Sequence, residues 1–315
     1  MQYALNMSTY VGRLDLDGQA LENYVNALLS DWRGQECDPR SPVVWSVDYG
    51  APDITFLMAR AIADRLWMQM AADPDLTRGV YLTGGSATRA KLAATLAERK
   101  PALLLTTSQG MTGPLDNPQK LKAQLGVPVD AHRRPMMPAD LSDWSPCGAI
   151  WYAHACCSAG SDAASRYTDL LSPEGAVGDI INGVAKTAGA IVAPLARALL
   201  GAERPLRAFI GHVEPTFDWT LRDPSTRQPL THVLVSSLYN KLCERGEYRT
   251  PIGHALAAVY NEAGNFFAAL QDDIRGINHD EPGMRDWALY DRLVAMDRQM
   301  LVILGDPTVA LPRLT

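Results

Sequence analysis

Short apolar runs separated by helix-length segments fill the chain from position 43 onward, the pattern of a mostly parallel sheet covered by helices. Five runs read as strands: Val43–Val47, Gly79–Thr83, Ala102–Thr107, Ala149–Ala155 and Leu206–Ile210. The third is apolar on both faces, as a central parallel strand must be. Between them the spacing predicts helices from about Pro52 to Met70 and from Ala87 to Arg99, the second capped by Ser86. A further helix is expected just beyond Asp162, and Ala176–Ala202 reads as one buried or amphipathic helix. Towards the end, helices are expected over Thr231–Arg245, Pro251–Arg275 and Met284–Gln299. In the second of these Ile252, Leu256, Val259, Ala263, Phe266, Phe267 and Leu270 form one apolar stripe. The last runs into Leu301-Val302-Ile303-Leu304, closed by Gly305-Asp306-Pro307. Gly126–Pro146, with its prolines and aspartates, reads as surface loop.

The fold class expected is therefore α/β, a three-layer sandwich with helices on both faces of the sheet. At 315 residues the chain can bury a sizeable core. We read residues 1–40 as a lead-in segment and 41–315 as one domain. A net charge of −6 argues against a nucleic-acid partner, because phosphate neutralisation needs a basic excess. The only basic knot, His132-Arg133-Arg134, is short. Asp179, Lys186, Pro194 and Arg197 interrupt the longest apolar-looking stretch, so no membrane span is expected. Asp15 and Asp17 precede any apolar run, so no secretory leader is expected either. Five irregularly spaced cysteines form neither a disulfide framework nor a zinc pattern and suit a reducing cytoplasm; no metal or cofactor is implied.

Ligand sites in open parallel sheets form beyond the carboxyl ends of the strands. Asp48 follows the first strand, Ser108-Gln109-Gly110 the third, Cys156 the fourth and His212 the fifth. Cys156 enters a small-residue turn that we expect to lead into a helix N-terminus, whose N–H groups favour a thiolate and cradle an oxyanion. The bland alternative is a packed structural cysteine.

Pro101–Met111, with its apolar strand and Ser-Gln-Gly turn, resembles a segment of bacterial caspase-like peptidases of the gingipain and CHAT groups, which read Ser-His-Gly there. Ala87–Leu92 resembles the helix before that strand, and Ala155-Cys156-Cys157-Ser158-Ala159-Gly160 resembles their nucleophile turn. Tyr10–Arg13, Gly211–Glu214, Pro251–Ala255 and Leu304–Pro307 are also similar to segments of these peptidases. Gln109 precedes Cys156 by about 50 residues, the caspase-type histidine-to-cysteine spacing. The resemblance implies a cysteine endopeptidase with Cys156 as nucleophile, Gly110 supplying oxyanion backbone and position 109 carrying the proton. Its partners would be a protein or peptide substrate and a regulatory domain or protein. A carboxamide cannot carry a proton near neutral pH as imidazole does, so little or no proteolysis is expected of this chain. The alternative is a pseudo-peptidase that binds peptides or regulates without cleaving.

Asp48 is the acid expected in the pocket for the substrate residue before the cut, where it would favour Arg or Lys; Asp162, Glu214 and Asp218 are rivals. The other reading of Asp48 is a turn aspartate. His212 either lines the pocket or bonds structurally, and His154, on the strand before Cys156, is expected to be a core histidine. Cys157 is expected to face away from Cys156.

Overall fold

The computed structural model describes residues 9–244 and 249–314. Helix α1 (Gly18–Leu29) leads to β1 (Val43–Ser46), every residue of which is buried. Helix α2 runs from Ile54–Met58 through a π-helical stretch, Ala59–Ala63, into Asp64–Ala71. Asp53 caps it by accepting from Thr55 N–H at 2.9 Å and Thr55 Oγ at 2.6 Å. Next come β2 (Val80–Thr83), α3 (Arg89–Arg99), β3 (Leu103–Thr107), α4 (Pro118–Gln124) and β4 (Ile150–His154). Thr88, not Ser86, caps α3; Ser86 instead closes a tight Gly84–Ser86 turn against Thr83.

A two-residue strand β5 (Gly160–Ser161) pairs antiparallel with β6 (Ile191–Val192), which separates α5 (Gly175–Ala188) from α6 (Pro194–Leu200). The single helix expected over Ala176–Ala202 is thus two. Pairing with β5 draws out the backbone at Ile191, and Pro194 fits only at a fresh first turn. The chain continues through β7 (Ala208–His212), α7 (His232–Ser236) with a π-helical extension to Lys241, α8 (Ile252–Ala255), α9 (Ala257–Asn278), α10 (Met284–Met300) and β8 (Leu301–Gly305).

The main sheet has six strands in the order β2-β1-β3-β4-β7-β8. All neighbours run parallel except β8, which lies antiparallel to β7. Alternation along β4 separates the faces. Trp151 meets Trp144 and Phe209 on one side, with α3 and α6 against the same Pro138–Leu141 turn. Tyr152 and His154 face the other, where α2, α7, α8, α9 and α10 form one connected layer.

The lead-in segment packs into this same core. Tyr24 is 1% exposed, and its hydroxyl donates to Arg207 O at 2.6 Å and accepts from Asp306 N–H at 2.7 Å. Arg13 bonds Ile303 and Gly305 and covers the outer side of β8, an edge that would otherwise offer free N–H and C=O groups. Gly126–Pro146 is not surface loop: Val127, Met136, Leu141 and Trp144 join the central core. Its backbone pairs with the segment after β3, which satisfies polar groups that a surface loop would leave to water.

Candidate functional site

The chain leaves β1 to form β2 on one side and returns to form β3 on the other. The connections leaving the carboxyl ends of β1 and β3 therefore run to opposite faces of the sheet, and the crevice between them is the usual ligand position in such sheets. Asp48-Tyr49-Gly50, Asp53 and Ser108-Gln109-Gly110 stand there, and the turn after β4 brings Cys156 alongside. Gln109 is half-buried, and its Nε2 donates to Asp53 Oδ1 at 3.1 Å. A carboxylate only accepts, so the amide nitrogen must face Asp53. The Gln109 carbonyl accepts from Val129 N–H at 2.9 Å, and Tyr49 Oη donates to Asp130 O at 2.6 Å. The packed Gly126–Pro146 segment thus supports the crevice from behind.

Backbone meets backbone where β3 and β4 end. A Cβ on Gly110 would lie 2.0 Å from Cys156 O, and one on Gly126 would lie 1.9 Å from Cys157 O. Only glycine allows either approach. Cys157 takes a left-handed conformation, φ 55°, which an L side chain adopts at some strain. Its thiol is buried in a small apolar cluster with Leu121, Leu125, Val184 and Ala188. Ser158 Oγ donates to Ala153 O at 2.8 Å and accepts from His212 N–H at 3.0 Å, so the turn is tied to both β4 and β7.

The Cys156 sulfur accepts from Thr216 N–H at 3.3 Å and lies 3.6 Å from both Thr216 O and Thr216 Oγ. Burial raises its pKa, and the N–H groups of Thr216 and Gly110 only partly offset this. The resting group is a thiol. The helix expected behind Cys156 is absent. Residues 163–171 run as turns, with Glu214 accepting from Ser165 Oγ and Arg166 N–H, and no helix starts before Gly175. The turn of Cys156 therefore lacks the helix-end N–H groups that would favour a thiolate.

Neither nearby histidine serves Cys156. His154 Nδ1 bonds Tyr152 Oη at 2.7 Å, and its ring meets that of His212 edge-on, with centroids 4.8 Å apart. Both line a small closed cavity with Thr231, Asp297 and Arg298. Burial pushes both imidazoles down to about 3. His212 is a core residue, as His154 was expected to be.

Three of the four expected pocket acids are engaged by side chains or by distant backbone. Asp48 accepts from Arg60 at 2.8 Å and from Gly50 N–H at 2.7 Å; burial opposes these contacts, yet they hold its carboxyl below the ordinary range. Glu214 is 4% exposed and spent on Ser165 and Arg166, and burial raises its pKa. Asp162 is exposed and bonded to Ala163 N–H, and Asp218 faces Arg222 at 3.5 Å. Two residues at the site escaped the sequence reading. Asp53 was visible only as a helix start, and Thr216, just past the family-like Gly211–Glu214 segment, carried no signal of its own.

No protein-family model matches the chain, and no similar curated protein or solved structure was found. Among the described residues no cluster of three or more His, Cys, Asp or Glu side chains could hold a metal ion, and no helix is long and apolar enough to cross a membrane.

Proposed function

We propose that the chain is a caspase-like cysteine-peptidase domain of the gingipain/CHAT kind, with Cys156 at the nucleophile position and Gln109 where the proton carrier belongs. It turns over peptides poorly or not at all as it stands. The observation that carries this reading is the junction of β3 and β4, where Gly110 packs directly on the backbone of Cys156. Gln109 stands beside it, held by Asp53.

In the chemistry this arrangement suits, the Cys156 thiol first gives up its proton to water, and the thiolate sulfur then attacks a peptide carbonyl carbon. A C–S bond forms, and the carbonyl oxygen takes the negative charge while the backbone N–H groups of Gly110 and Cys156 donate to it. Collapse of that adduct breaks the C–N bond only if the leaving nitrogen receives a proton. The Gln109 amide has none to give, and loss of such acid–base help typically lowers rates by about 10²–10⁴-fold. Asp48, Glu214 and Asp218 are engaged within the chain, so of the four acids considered for a basic-residue pocket the exposed Asp162 is the one left to favour Arg or Lys.

A non-catalytic module that binds peptides in the same crevice is the second reading. It is favoured by the contacts of Thr216, which occupy both the donor and the acceptor capacity of the thiol. Cleavage of a fluorogenic peptide-amide panel separates the two. Gln109→His should raise turnover by about 10²-fold or more, and Cys156→Ala in that background should abolish the gain. A folded Gln109→His protein as silent as the parent would make the binding module the better reading.

A further inference from the structure

We propose that Glu214–Thr220 is a strap that keeps Cys156 in a shielded resting state, and that lifting the middle of this strap sets the reactivity of the thiol. The inference concerns access to the sulfur and holds whether or not the crevice cleaves peptides.

One residue of the strap supplies the contacts. Thr216, 4% exposed, donates its N–H to Cys156 Sγ at 3.3 Å, while its carbonyl and hydroxyl oxygens both lie 3.6 Å from the sulfur. A thiol that donates to a carbonyl and accepts from an N–H has its hydrogen-bonding capacity filled within the chain. Any electrophile approaching along those directions meets Thr216 first.

The strap is anchored firmly at its ends and lightly between them. At the start, Val213 N–H bonds Met300 O at 3.1 Å, the Glu214 carboxylate takes Ser165 Oγ at 3.0 Å and Arg166 N–H at 3.1 Å, and Glu214 O accepts from Cys157 N–H at 3.0 Å. At the far end, Thr220 O accepts from the buried Arg298 guanidinium at 3.1 Å. That guanidinium is fixed by Asp297 at 2.7 Å and Glu262 at 2.9 Å. In the middle, Phe217 stacks on Trp219 with centroids 4.3 Å apart, and Tyr167 meets Phe217 edge-on at 5.6 Å. Phe217, Asp218 and Trp219 are half-exposed. Charge-assisted bonds to buried partners hold both ends. The centre has aromatic contact, the sulfur, the part-exposed Asp218–Arg222 pair at 3.5 Å and a local bond from Thr220 Oγ to Phe217 O at 2.8 Å. The ion pair is weakened by solvent and the last bond stays within the strap, so the centre opens at the lower free energy.

The test is alkylation of the full chain by iodoacetamide, followed by mass spectrometry of the Cys156 peptide with half-buried Cys243 as internal reference. Phe217→Ala and Trp219→Ala should each raise the Cys156 rate by about tenfold, the scale of one lost aromatic pair, and leave Cys243 unchanged. Rates that do not move in variants that keep the native circular dichroism would overturn the strap. The unaltered protein gives a second readout if a variant fails to fold. Below the unfolding transition, Cys156 labelling should rise with urea on a slope much shallower than that of global unfolding. Labelling that follows global unfolding, or that equals the rate of a free thiol in native buffer, also overturns the proposal.

Discussion

Two polar clusters flank the end of β4, and they treat proton-carrying chemistry in opposite ways. The helical layer on one face encloses His154 and His212 with Asp297 and Arg298, imidazoles sealed where burial keeps them neutral. The crevice beyond the strand end has the half-buried thiol of Cys156, covered by Thr216, and the Gln109–Asp53 pair, yet no imidazole bonded to the sulfur. These two imidazoles thus lie where no substrate reaches them, and an amide stands where a substrate could. Nearness in sequence to the nucleophile misleads here: a spacing of two would put His154 and Cys156 on one face of a strand, but β4 ends at His154 and the turn that follows carries Cys156 away from the core face.

Acid gives the largest effect expected from that contrast. Each imidazole of the pair titrates near 6.5 when unfolded and near 3 in the fold, so between those values the unfolded chain binds more protons. The stability this contributes is fully present above pH 6.5 and is lost as pH falls, by about 1.4 kcal/mol per pH unit for each histidine. Asp291, raised to about 6 by burial and by Asp273, works the other way between pH 6 and 4, because there the folded chain holds the extra proton. Solvent screening reduces the share of this acid. Glu214, whose pKa burial also raises, works in the same sense as Asp291, so the loss in that window is less than the two protons of the histidines, and their share is read from the variants. Urea unfolding from pH 7 to 4 should show it. His212→Phe should flatten the slope by one proton, and Asp291→Asn should steepen it. A slope that His212→Phe leaves unchanged would mean that the pair is not sealed.

Gly110 tests the crevice side at the next largest scale. The Cβ of Gly110→Ala would press on the backbone of Cys156, which cannot swing aside, and overpacking of this kind costs about 1–3 kcal/mol. Gly264 in α9 is the control, because a Cβ there meets nothing within 4 Å and Ala should stabilise the helix by about 0.5–1 kcal/mol. Thermal melts should separate the two in sign, and Gly110→Ala should also alter the alkylation rate of Cys156. A neutral Gly110→Ala would remove the case that β3 and β4 meet backbone to backbone at the thiol.

The sheet was the most legible part of this molecule. Parallel strands buried on both faces leave near-continuous apolar runs, and Val43–Ser46, Leu103–Thr107 and Ile150–His154 were each located within a residue or two. The meeting of position 109 with Cys156 follows once β3 and β4 are neighbours in register, Thr107 against His154. Local composition could not show what depends on distant partners. Gly126–Pro146 reads as loop because its apolar residues follow no period, yet they fill the space behind the crevice. The turns at 163–171 are held by Glu214, some fifty positions along the chain and invisible to any local pattern. The π-helical stretches at Ala59–Ala63 and Ser237–Lys241 are likewise packing features with no sequence signature.

The smallest effect belongs to Asp53 and sharpens the contrast most. Its carboxylate serves both Thr55, at the start of α2, and Gln109, so Asp53→Ala should cost about 1–2 kcal/mol from the lost cap and a loosened amide. Asp53→Asn should cost much less, since an asparagine side-chain oxygen caps a helix nearly as well and still accepts from Gln109 Nε2. In the Gln109→His background the two roles come apart. A carboxylate hydrogen-bonded to the imidazole raises its pKa, and a neutral asparagine does not. Proton NMR titration of the new imidazole should therefore give a pKa above the ordinary 6.5 while Asp53 is intact. Adding Asp53→Asn should lower that value and leave the melting temperature close to where it was. An imidazole at 109 that titrates identically in both proteins would show that Asp53 addresses the helix alone. A separation would show that this crevice already holds an acid able to tune an imidazole that the chain does not supply there.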